Sequence, residues 1–261
     1  MDPVAFSFGA FDIHWYGVFV AVGFLVGLWT AGRRGLIYGL SPEKTADLGP
    51  WIIIGALIGA RSLYVFTYWE DDFAGKSLLN IFKIRQGGLV FYGGFIGAVL
   101  STVLYTRLKK VPLWQIADAF APSIALGHAF GRIGCLMTGC CYGKVCSLPW
   151  AISFPTGHVS HPHNVHPTQI YESSLNLGLY LALAYFYRRK RFEGQVFAVY
   201  LMSYALLRAF VELFRGDYAD QKITGLLTPG QQVGIAIFLA GALLYFIRAK
   251  TSKPSPALEK P

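Results

Sequence analysis

Charged residues are scarce in this sequence. Lys and Arg number 23 and Asp and Glu 14, so charged side chains make up 14% of the 261 residues, against 54% hydrophobic ones. Soluble globular domains carry about 25% charged residues. The scarcity of charge therefore excludes an ordinary soluble domain and predicts an integral membrane protein.

Lys and Arg are absent from the first fourteen positions. A cleavable signal peptide begins with a positively charged segment, so the first apolar stretch is expected to remain as a helix. Trp15 and Tyr16 stand at the start of this stretch. Aromatic side chains at such a position are typical anchors at the membrane–water interface.

The sequence has only four cysteines, and none of them forms a C-x-x-C pair, which argues against the common type of thiol oxidoreductase. From Cys135 to Cys146 they are spaced C-x4-C-C-x4-C. This pattern lacks the short pairs of structural zinc sites and the plant-type iron–sulfur spacing. Free thiols or disulfides with three possible pairings are favoured. No metal site and no cofactor are predicted, although five of the six histidines lie within residues 128–166 and histidine-rich loops can bind metal.

Seven apolar stretches are long enough to cross a bilayer as helices, which takes about 17 to 25 residues. The seventh, at residues 113–130, is weaker because it contains Asp118 and His128. The six strong windows lie near residues 15–33, 48–69, 89–106, 170–187, 195–214 and 230–248. The predicted fold is an all-α integral membrane protein with seven transmembrane helices in one domain, residues 1–248. Its longest connection, residues 131–167, joins helices 4 and 5, and a disordered cytoplasmic tail is expected at 249–261.

The distribution of basic residues favours seven spans and predicts their orientation. With alternating connections, fourteen of the 23 basic residues fall on one side and seven on the other, while Arg61 and Arg208 lie inside spans. Short cytoplasmic loops retain Lys and Arg, so the N-terminus and the 131–167 connection are predicted outside and the C-terminus inside. Omitting the weak span would put the clusters at 107–110 and 188–191 on opposite faces. The net charge of +9 then indicates contact with anionic lipid and no nucleic-acid binding.

The stretch richest in candidate site residues is GHAFGRIGCLMTGCCYG, from Gly127 to Gly143. It combines five glycines with Arg132, a histidine and three cysteines, next to apolar segments. Glycines allow a backbone to approach a ligand or another helix closely, and an arginine beside hydrocarbon needs a partner or a function. The stretch therefore predicts a ligand-binding site with a defined shape. The alternative is that its small residues only permit tight helix packing.

Two other segments carry polar groups or glycines inside apolar stretches. Arg61 follows Gly55 and Gly59, which have the small-xxx-small spacing of packed membrane helices. It is either a functional intramembrane arginine or one that reaches the interface from a helix end. In GGLVFYGGFIG, four glycines bracket Phe91 and Tyr92, which indicates either a bent backbone or a closely packed surface. Tyr92 is a candidate hydrogen-bond donor to a ligand, or it fills an interface.

A helical face in the sixth window is also polar. Tyr204, Arg208, Glu212 and Arg215 follow one another at steps of four, four and three. Such steps place side chains on one face of a helix. Two arginines and one acid leave one cation for an anionic ligand. The alternative is an internal ion pair that fixes helix packing.

Taken in order, these motifs resemble the prolipoprotein diacylglyceryl transferase family. The resemblance rests on YGVFVAVGF from Tyr16, GGLVFYGGFIG from Gly87, GRIG from Gly131, HPTQIYE from His166 and YALLRAFVELFR from Tyr204. It covers nearly the whole chain and includes the seven-helix plan with an outer N-terminus. It implies transfer of a diacylglyceryl group from phosphatidylglycerol to the lipobox cysteine in the signal peptide of a prolipoprotein. The implied location is the outer face of the bacterial plasma membrane, among membrane lipid.

The resemblance also implies roles for individual residues. Arg132 and Arg208 match the family's essential arginines and are the candidate phosphate ligands, because a guanidinium offers two donors to phosphate oxygens. Glu212 is expected to orient Arg208. Tyr16 and Gly143 match functional positions of the family. The other candidate substrate-binding residues are Arg61, Gln169, Tyr171, Glu172 and Tyr204, and His166 is a candidate catalytic residue.

The chain departs from the family pattern at three positions. Tyr92, a candidate catalytic residue, replaces a histidine that is the proposed general base. Cys135 replaces an asparagine, and Cys140 replaces an acidic residue. A tyrosine with a pKa of about 10 stays protonated at neutral pH, so it serves better as a donor than as a base. Two other classes therefore stay open: a non-catalytic lipid-binding or transport protein, and a membrane thiol redox protein.

Overall fold

The computed structural model describes residues 4–9, 11–83, 87–217 and 227–252. Seven α-helices dominate this part of the chain, and an antiparallel hairpin of β1 (Val4–Phe8) and β2 (Phe11–His14) precedes them. The helices are α1 (Trp15–Gly35), α2 (Pro42–Thr67), α3 (Phe91–Leu108), α4 (Leu113–Thr138), α5 (Thr168–Tyr187), α6 (Gln195–Glu212) and α7 (Pro229–Thr251).

Each predicted apolar window coincides with one of these helices, so the mainly helical architecture is confirmed. Four of them, α1, α2, α6 and α7, are long and apolar enough to cross a membrane. The β1–β2 hairpin is an addition to the predicted all-α fold. It lies directly before α1, in the segment that lacks Lys and Arg.

Three boundaries differ from those predicted. Helix α2 begins at Pro42, six residues before the predicted window at 48–69. Helix α4 continues past residue 130 to Thr138, and Gly139 ends it with a left-handed φ of +76°. Asp118, one of the two polar side chains that weakened this window, has partners inside the protein. Arg132 and Cys135 therefore lie on a helix, and the long connection begins at 139 instead of 131. Helix α7 includes residues 249–251 of the predicted tail, and residues 253–261 lie outside the described residues.

Side-chain caps determine where two helices begin. Ser41 precedes α2, and its Oγ accepts a hydrogen bond from the Lys44 N–H at 3.4 Å. Thr228 precedes α7 in a capping box with Gln231. The Thr228 Oγ1 accepts from the Gln231 N–H at 3.2 Å, and the Gln231 Oε1 accepts from the Thr228 N–H at 3.1 Å.

Glycines at facing positions bring α2 and α3 into backbone contact. A Cβ on Gly59 would overlap the carbonyl oxygen of Gly93, and a Cβ on Gly93 would overlap that of Gly59. Gly97 faces Gly55 in the same way. The predicted small-xxx-small pair therefore forms this contact. Gly87 and Gly88 have positive φ and turn the backbone instead. In the GGLVFYGGFIG segment, the first glycine pair therefore bends the backbone, and the second pair forms the closely packed surface.

Helix α1 packs antiparallel to α4. Near the start of α1, Tyr16 contacts Gly134, where a Cβ would lie 3.1 Å from the Tyr16 Cα. Near the end of α1, Arg34 donates from Nη1 to the carbonyl of Ala119 at 2.6 Å. This packing brings the end of α4 to the start of α1, and the candidate site lies at that end of the bundle.

At the opposite end, a buried ion pair attaches α4 to the connection between α5 and α6. The Lys190 Nζ lies 3.0 Å from the Asp118 Oδ2, and both side chains are fully buried. Asp118 also accepts the N–H groups of Gly194 at 2.9 Å and Phe197 at 3.0 Å. The Lys190 ammonium lies 4.3 Å from the Tyr38 ring centroid. These partners satisfy the aspartate that made the fourth window weak.

Replacing Lys190 by Met should destabilise the protein by about 3–5 kcal/mol, because the Asp118 carboxylate would stay buried without its cation. Thermal unfolding in detergent measures the loss. The exposed Lys109 provides the control, and Lys109→Met should change stability by less than about 0.5 kcal/mol. A Lys190→Met variant that unfolds at the same temperature as the parent would contradict the stabilising role of the Asp118–Lys190 pair. Combining Lys190→Met with Asp118→Leu should recover part of the loss.

Candidate functional site

Three helices contribute charged side chains to one end of the bundle. Arg132, near the end of α4, pairs with Glu172, near the start of α5, with 3.1 Å between Nε and Oε1. Glu172 is buried, whereas 21% of the Arg132 side chain is exposed. Tyr204 of α6 interacts electrostatically with both residues and with Arg208. Its ring contacts His128, one turn before Arg132, with 4.9 Å between centroids.

Arg208 forms an ion pair with Glu212, one turn further along α6. Glu212 is buried, and its Oε1 accepts a hydrogen bond from the Thr228 Oγ1 at 2.8 Å. A Cβ on Gly230 would lie 2.7 Å from that oxygen. The glutamate that was expected to orient Arg208 is thus itself held by the start of α7. The sequence interpretation missed Thr228, although its capping box with Gln231 marks the helix start.

Arg215 does not share the helical face that the sequence spacing predicted. Helix α6 ends at Glu212, and Arg215 lies beyond it in an isolated β-bridge with Gly143. The Arg215 Nε donates to the Asp217 Oδ1 at 2.9 Å. The expectation of one unpaired cation was therefore wrong, because Arg208 and Arg215 each have an acidic partner. The second acid lies outside the helical window, so counting along the helix did not reveal it.

The HPTQIYE motif holds the backbone of the cysteine segment. The Thr168 Oγ1 donates to the carbonyl of Cys141, and the Gln169 Nε2 donates to that of Cys140, each at 2.7 Å. Both donor residues are buried. The motif therefore fixes the chain that follows α4. Thr168 lies inside the motif but was not singled out from the sequence.

Gly143 lies where three segments meet. Its N–H donates to the carbonyl of His166 at 3.0 Å, and it forms a β-bridge with Arg215. A Cβ at this position would lie 2.5 Å from the His166 Cβ and 2.9 Å from the Phe214 carbonyl oxygen. Space alone therefore requires glycine here. Direct binding of substrate by Gly143 stays a prediction.

His166 and Tyr171 form a polar pair at the same end of the bundle. The His166 Nδ1 lies 3.2 Å from the Tyr171 Oη, which also accepts a hydrogen bond from the Trp150 Nε1 at 2.7 Å. When the His166 Nδ1–H donates to Tyr171, the Nε2 is left as a proton acceptor. Trp150 belongs to the long connection, and no sequence motif indicated it.

Three of the four cysteines converge beside Arg132. The Sγ atoms of Cys135, Cys140 and Cys141 lie within 4.8 Å of one another. The Arg132 Nη1 lies 3.9 Å from the Cys135 Sγ. Hydrogen bonds from the thiols of Cys135 and Cys141 lower the pKa of the Cys140 thiol. All four cysteines are free thiols, one of the two states expected from the sequence, and within the described residues this cluster has the geometry to hold a metal ion.

Histidines of the long connection have partners within the protein. The His158 Nε2 lies 2.8 Å from the carbonyl oxygen of Gly139, and its Nδ1 lies 2.8 Å from the Ser160 Oγ. The His161 Nδ1 lies 3.1 Å from the carbonyl oxygen of Phe154. These contacts order the connection against the end of α4.

Tyr16 and Tyr92 occupy different surroundings. Tyr16 packs on α4 and lies within electrostatic range of Arg132 and the three cysteines. Tyr92, at the start of α3, is 63% exposed, and its ring contacts Phe91 with 5.9 Å between centroids. Its hydroxyl makes no hydrogen bond to the residues that the structure describes. A role for Tyr92 in the site therefore stays a prediction.

Arg61 lies on α2 and forms hydrogen bonds with the connection between α2 and α3. Its guanidinium donates to four backbone carbonyls, those of Asn80, Ile81, Gly87 and Gly88, at 2.7 to 3.0 Å. These bonds occupy most of its donors. They account for an arginine inside an apolar helix, and substrate binding by Arg61 stays a prediction.

Replacing Gly143 by Ala should destabilise the protein by about 1–3 kcal/mol, because the new Cβ would collide with His166 and Phe214. Thermal unfolding in detergent measures this change. Gly178→Ala in α5 is the matched control, since a Cβ there meets nothing within 4 Å. The control should be neutral or stabilising by up to about 1 kcal/mol. Equal stability of the two variants would show that Gly143 is not constrained by packing.

The sequence matches the family model described as prolipoprotein diacylglyceryl transferase over residues 3–247. Similar proteins named phosphatidylglycerol–prolipoprotein diacylglyceryl transferase occur in Finegoldia magna, at 38% identity over 94% of this chain and 94% of the relative. Others occur in Shewanella oneidensis, at 35% identity over 94% of each chain, and in Thermosynechococcus vestitus, at 30% identity over 97% of this chain and 95% of the relative. The chain therefore belongs to the prolipoprotein diacylglyceryl transferase family.

Proposed function

We propose that this protein transfers the diacylglyceryl group of phosphatidylglycerol to the lipobox cysteine thiol in the signal peptide of a prolipoprotein. A bond forms between the sulfur and the glyceryl carbon, the bond from that carbon to the phosphate oxygen breaks, and glycerol phosphate leaves with the electron pair. One observation carries the proposal. Arg132 and Arg208, each paired with a buried glutamate, both interact electrostatically with Tyr204 in a member of this transferase family.

In this proposal the two arginines bind the phosphate of the lipid. The Arg132 Nε faces Glu172 and its Nη1 faces Cys135, while Nη2 makes no hydrogen bond to the described residues. That edge of the partly exposed guanidinium can donate to a phosphate oxygen. Buried Glu172 and Glu212 hold the arginines before the lipid arrives, so little reorganisation is needed as charge develops on the leaving phosphate.

The lipobox thiol must lose its proton, because the thiolate is the nucleophile. His166 is the proposed base, since its Nε2 accepts a proton when its Nδ1–H donates to Tyr171. Tyr92 is proposed to donate a hydrogen bond to the lipid head group through its exposed hydroxyl. The proposed substrate-binding residues are Tyr16, Arg61, Gly143, Gln169, Tyr171, Glu172 and Tyr204.

We further propose that all seven helices span a bacterial plasma membrane, with the N-terminus outside and the C-terminus in the cytoplasm. One observation supports this orientation. The Asp118–Lys190 pair joins the start of α4 to the basic cluster at 188–191, close to the cluster at 107–110, and such clusters are retained in the cytoplasm. The arginine site then opens at the outer face, where phosphatidylglycerol and exported prolipoproteins meet.

The mass of a lipobox peptide after incubation with purified protein and phosphatidylglycerol tests the activity. Transfer should add one diacylglyceryl group through a thioether and release glycerol phosphate. A lipid-binding or transport protein would leave the peptide unchanged, and a thiol redox protein would form a disulfide with it. Either result with folded protein would overturn the proposed function.

Changing Arg208 to Lys should lower kcat/KM by about tenfold to a hundredfold, because the charge stays but the planar pair of donors is lost. The peptide assay measures the rate, and thermal unfolding confirms that the variant is folded. Arg132→Lys should behave in the same way, and extra peptide should rescue neither variant. Arg107→Lys, at an exposed arginine, is the control and should keep parental activity. Full activity of Arg208→Lys would remove Arg208 from the phosphate site.

Changing Tyr92 to Phe should lower the transfer rate by about tenfold to a hundredfold, the value of one lost hydrogen bond to the lipid. Tyr185, with 65% exposure, provides a matched control, and Tyr185→Phe should be silent. Tyr92→His should stay active, because an imidazole N–H can also donate a hydrogen bond to the lipid head group. A fully active Tyr92→Phe variant would mean that Tyr92 does not contact the lipid.

A further inference from the structure

Three cysteines that the transfer reaction does not use lie close enough together to bind one ligand. The Sγ atoms of Cys135, Cys140 and Cys141 lie within 4.8 Å of one another. Zinc binds thiolate sulfur at about 2.3 Å, so tetrahedral geometry puts neighbouring sulfurs about 3.8 Å apart. Closing this cluster around one ion therefore requires a contraction of at most about 1 Å.

The backbone that presents two of these thiols is already fixed. Hydrogen bonds of 2.7 Å from Thr168 and Gln169 hold the carbonyls of Cys141 and Cys140. Cys141 has a φ of +63°, a conformation that residues with a side chain rarely adopt. Such backbone strain is found at functional sites and persists only where surrounding contacts impose it. The sulfurs are thus positioned by the fold before any ligand binds.

Arg132 and Thr138 place a cation and a hydrogen-bond donor beside two of the three sulfurs. The Arg132 Nη1 lies 3.9 Å from the Cys135 Sγ, and the Thr138 Oγ1 donates to the Cys140 Sγ at 3.4 Å. A cation and a hydrogen-bond donor beside sulfur stabilise its negative charge. Three thiolates around a divalent ion carry a net charge of −1, and the guanidinium of Arg132 lies beside this charge.

We propose that Cys135, Cys140 and Cys141 bind one soft metal ion, of the class that includes Zn²⁺ and Cu⁺, at the end of α4 that carries Arg132. Thiolate ligands select ions of this class. Each protonated thiol releases its proton to solvent when its sulfur binds, and the ion keeps its oxidation state. With Zn²⁺, the fourth position remains open to water.

The cysteine spacing did not predict this site, because structural zinc sites use short C-x2-4-C pairs. The fold supplies the proximity in another way. Cys135 lies within α4, and the chain turns back at Gly139, so Cys140 and Cys141 return to the last turn of the helix. A disulfide would join only two of the sulfurs, at about 2.05 Å, and would not account for the convergence of three.

Zinc stoichiometry tests the site independently of transfer activity. Protein purified in detergent, reduced with a phosphine and stripped with a chelator should bind one Zn²⁺ per chain, measured by elemental analysis. Cys146→Ser is the matched control, because Cys146 lies outside the cluster, and it should also bind one ion. Loss of an outer-shell partner weakens metal binding by about tenfold to a hundredfold. Replacing any one of the three cluster cysteines by serine removes a direct ligand and should weaken Zn²⁺ binding by more than that.

Alkylation gives a second readout that needs no variant. Bound Zn²⁺ should protect Cys135, Cys140 and Cys141 of the parent from N-ethylmaleimide, while Cys146 reacts, as resolved by peptide mass. A reduced parent that binds no Zn²⁺ would overturn the proposal, as would unchanged binding after Cys140→Ser and Cys141→Ser together. Equal labelling of all four cysteines with and without Zn²⁺ would overturn it as well. Thermal unfolding identifies any variant that fails to fold. In that case, alkylation of the parent with and without Zn²⁺ decides whether the site exists.

Discussion

The ion pair between Arg132 and Glu172 is the contact on which the site depends. It joins the end of α4 to the start of α5, two helices separated by the longest connection in the chain. A guanidinium in apolar surroundings is stable only with a partner, and a buried carboxylate has the same requirement. Because each group requires the other, the pair fixes the distance between these helix ends. Tyr204 and the cysteine cluster then take their positions around Arg132.

A second constraint acts on the chain that follows α4. Thr168 and Gln169 of α5 donate to the carbonyls of Cys141 and Cys140, respectively, and Gly143 fits between His166 and Phe214 without room for a side chain. One motif thus provides the acidic partner of Arg132 and also anchors the segment beside it. The Arg132–Glu172 ion pair and the placement of the thiols thus depend on the same motif. A substitution in this motif is therefore expected to affect both.

The candidate site was predictable in part. Arg132, Glu172, Arg208 and Glu212 were all named from motifs, and the structure pairs them. The pairing of Arg215 with Asp217 was missed, because α6 ends before Arg215 and helical spacing no longer applies there. Trp150 and Thr228 were missed as well, since each contacts the site from a segment distant in sequence.

Hydrophobicity, charge distribution and motif order, read from the sequence alone, determined the membrane class, the positions of seven helices and the family. These properties are local, because a helix that contacts lipid must be apolar along its own length. The tertiary structure decided how far α4 extends, which acids pair with which arginines, and that three cysteines meet. Those outcomes depend on contacts between residues far apart in the chain, for which neither composition nor spacing carries a signal.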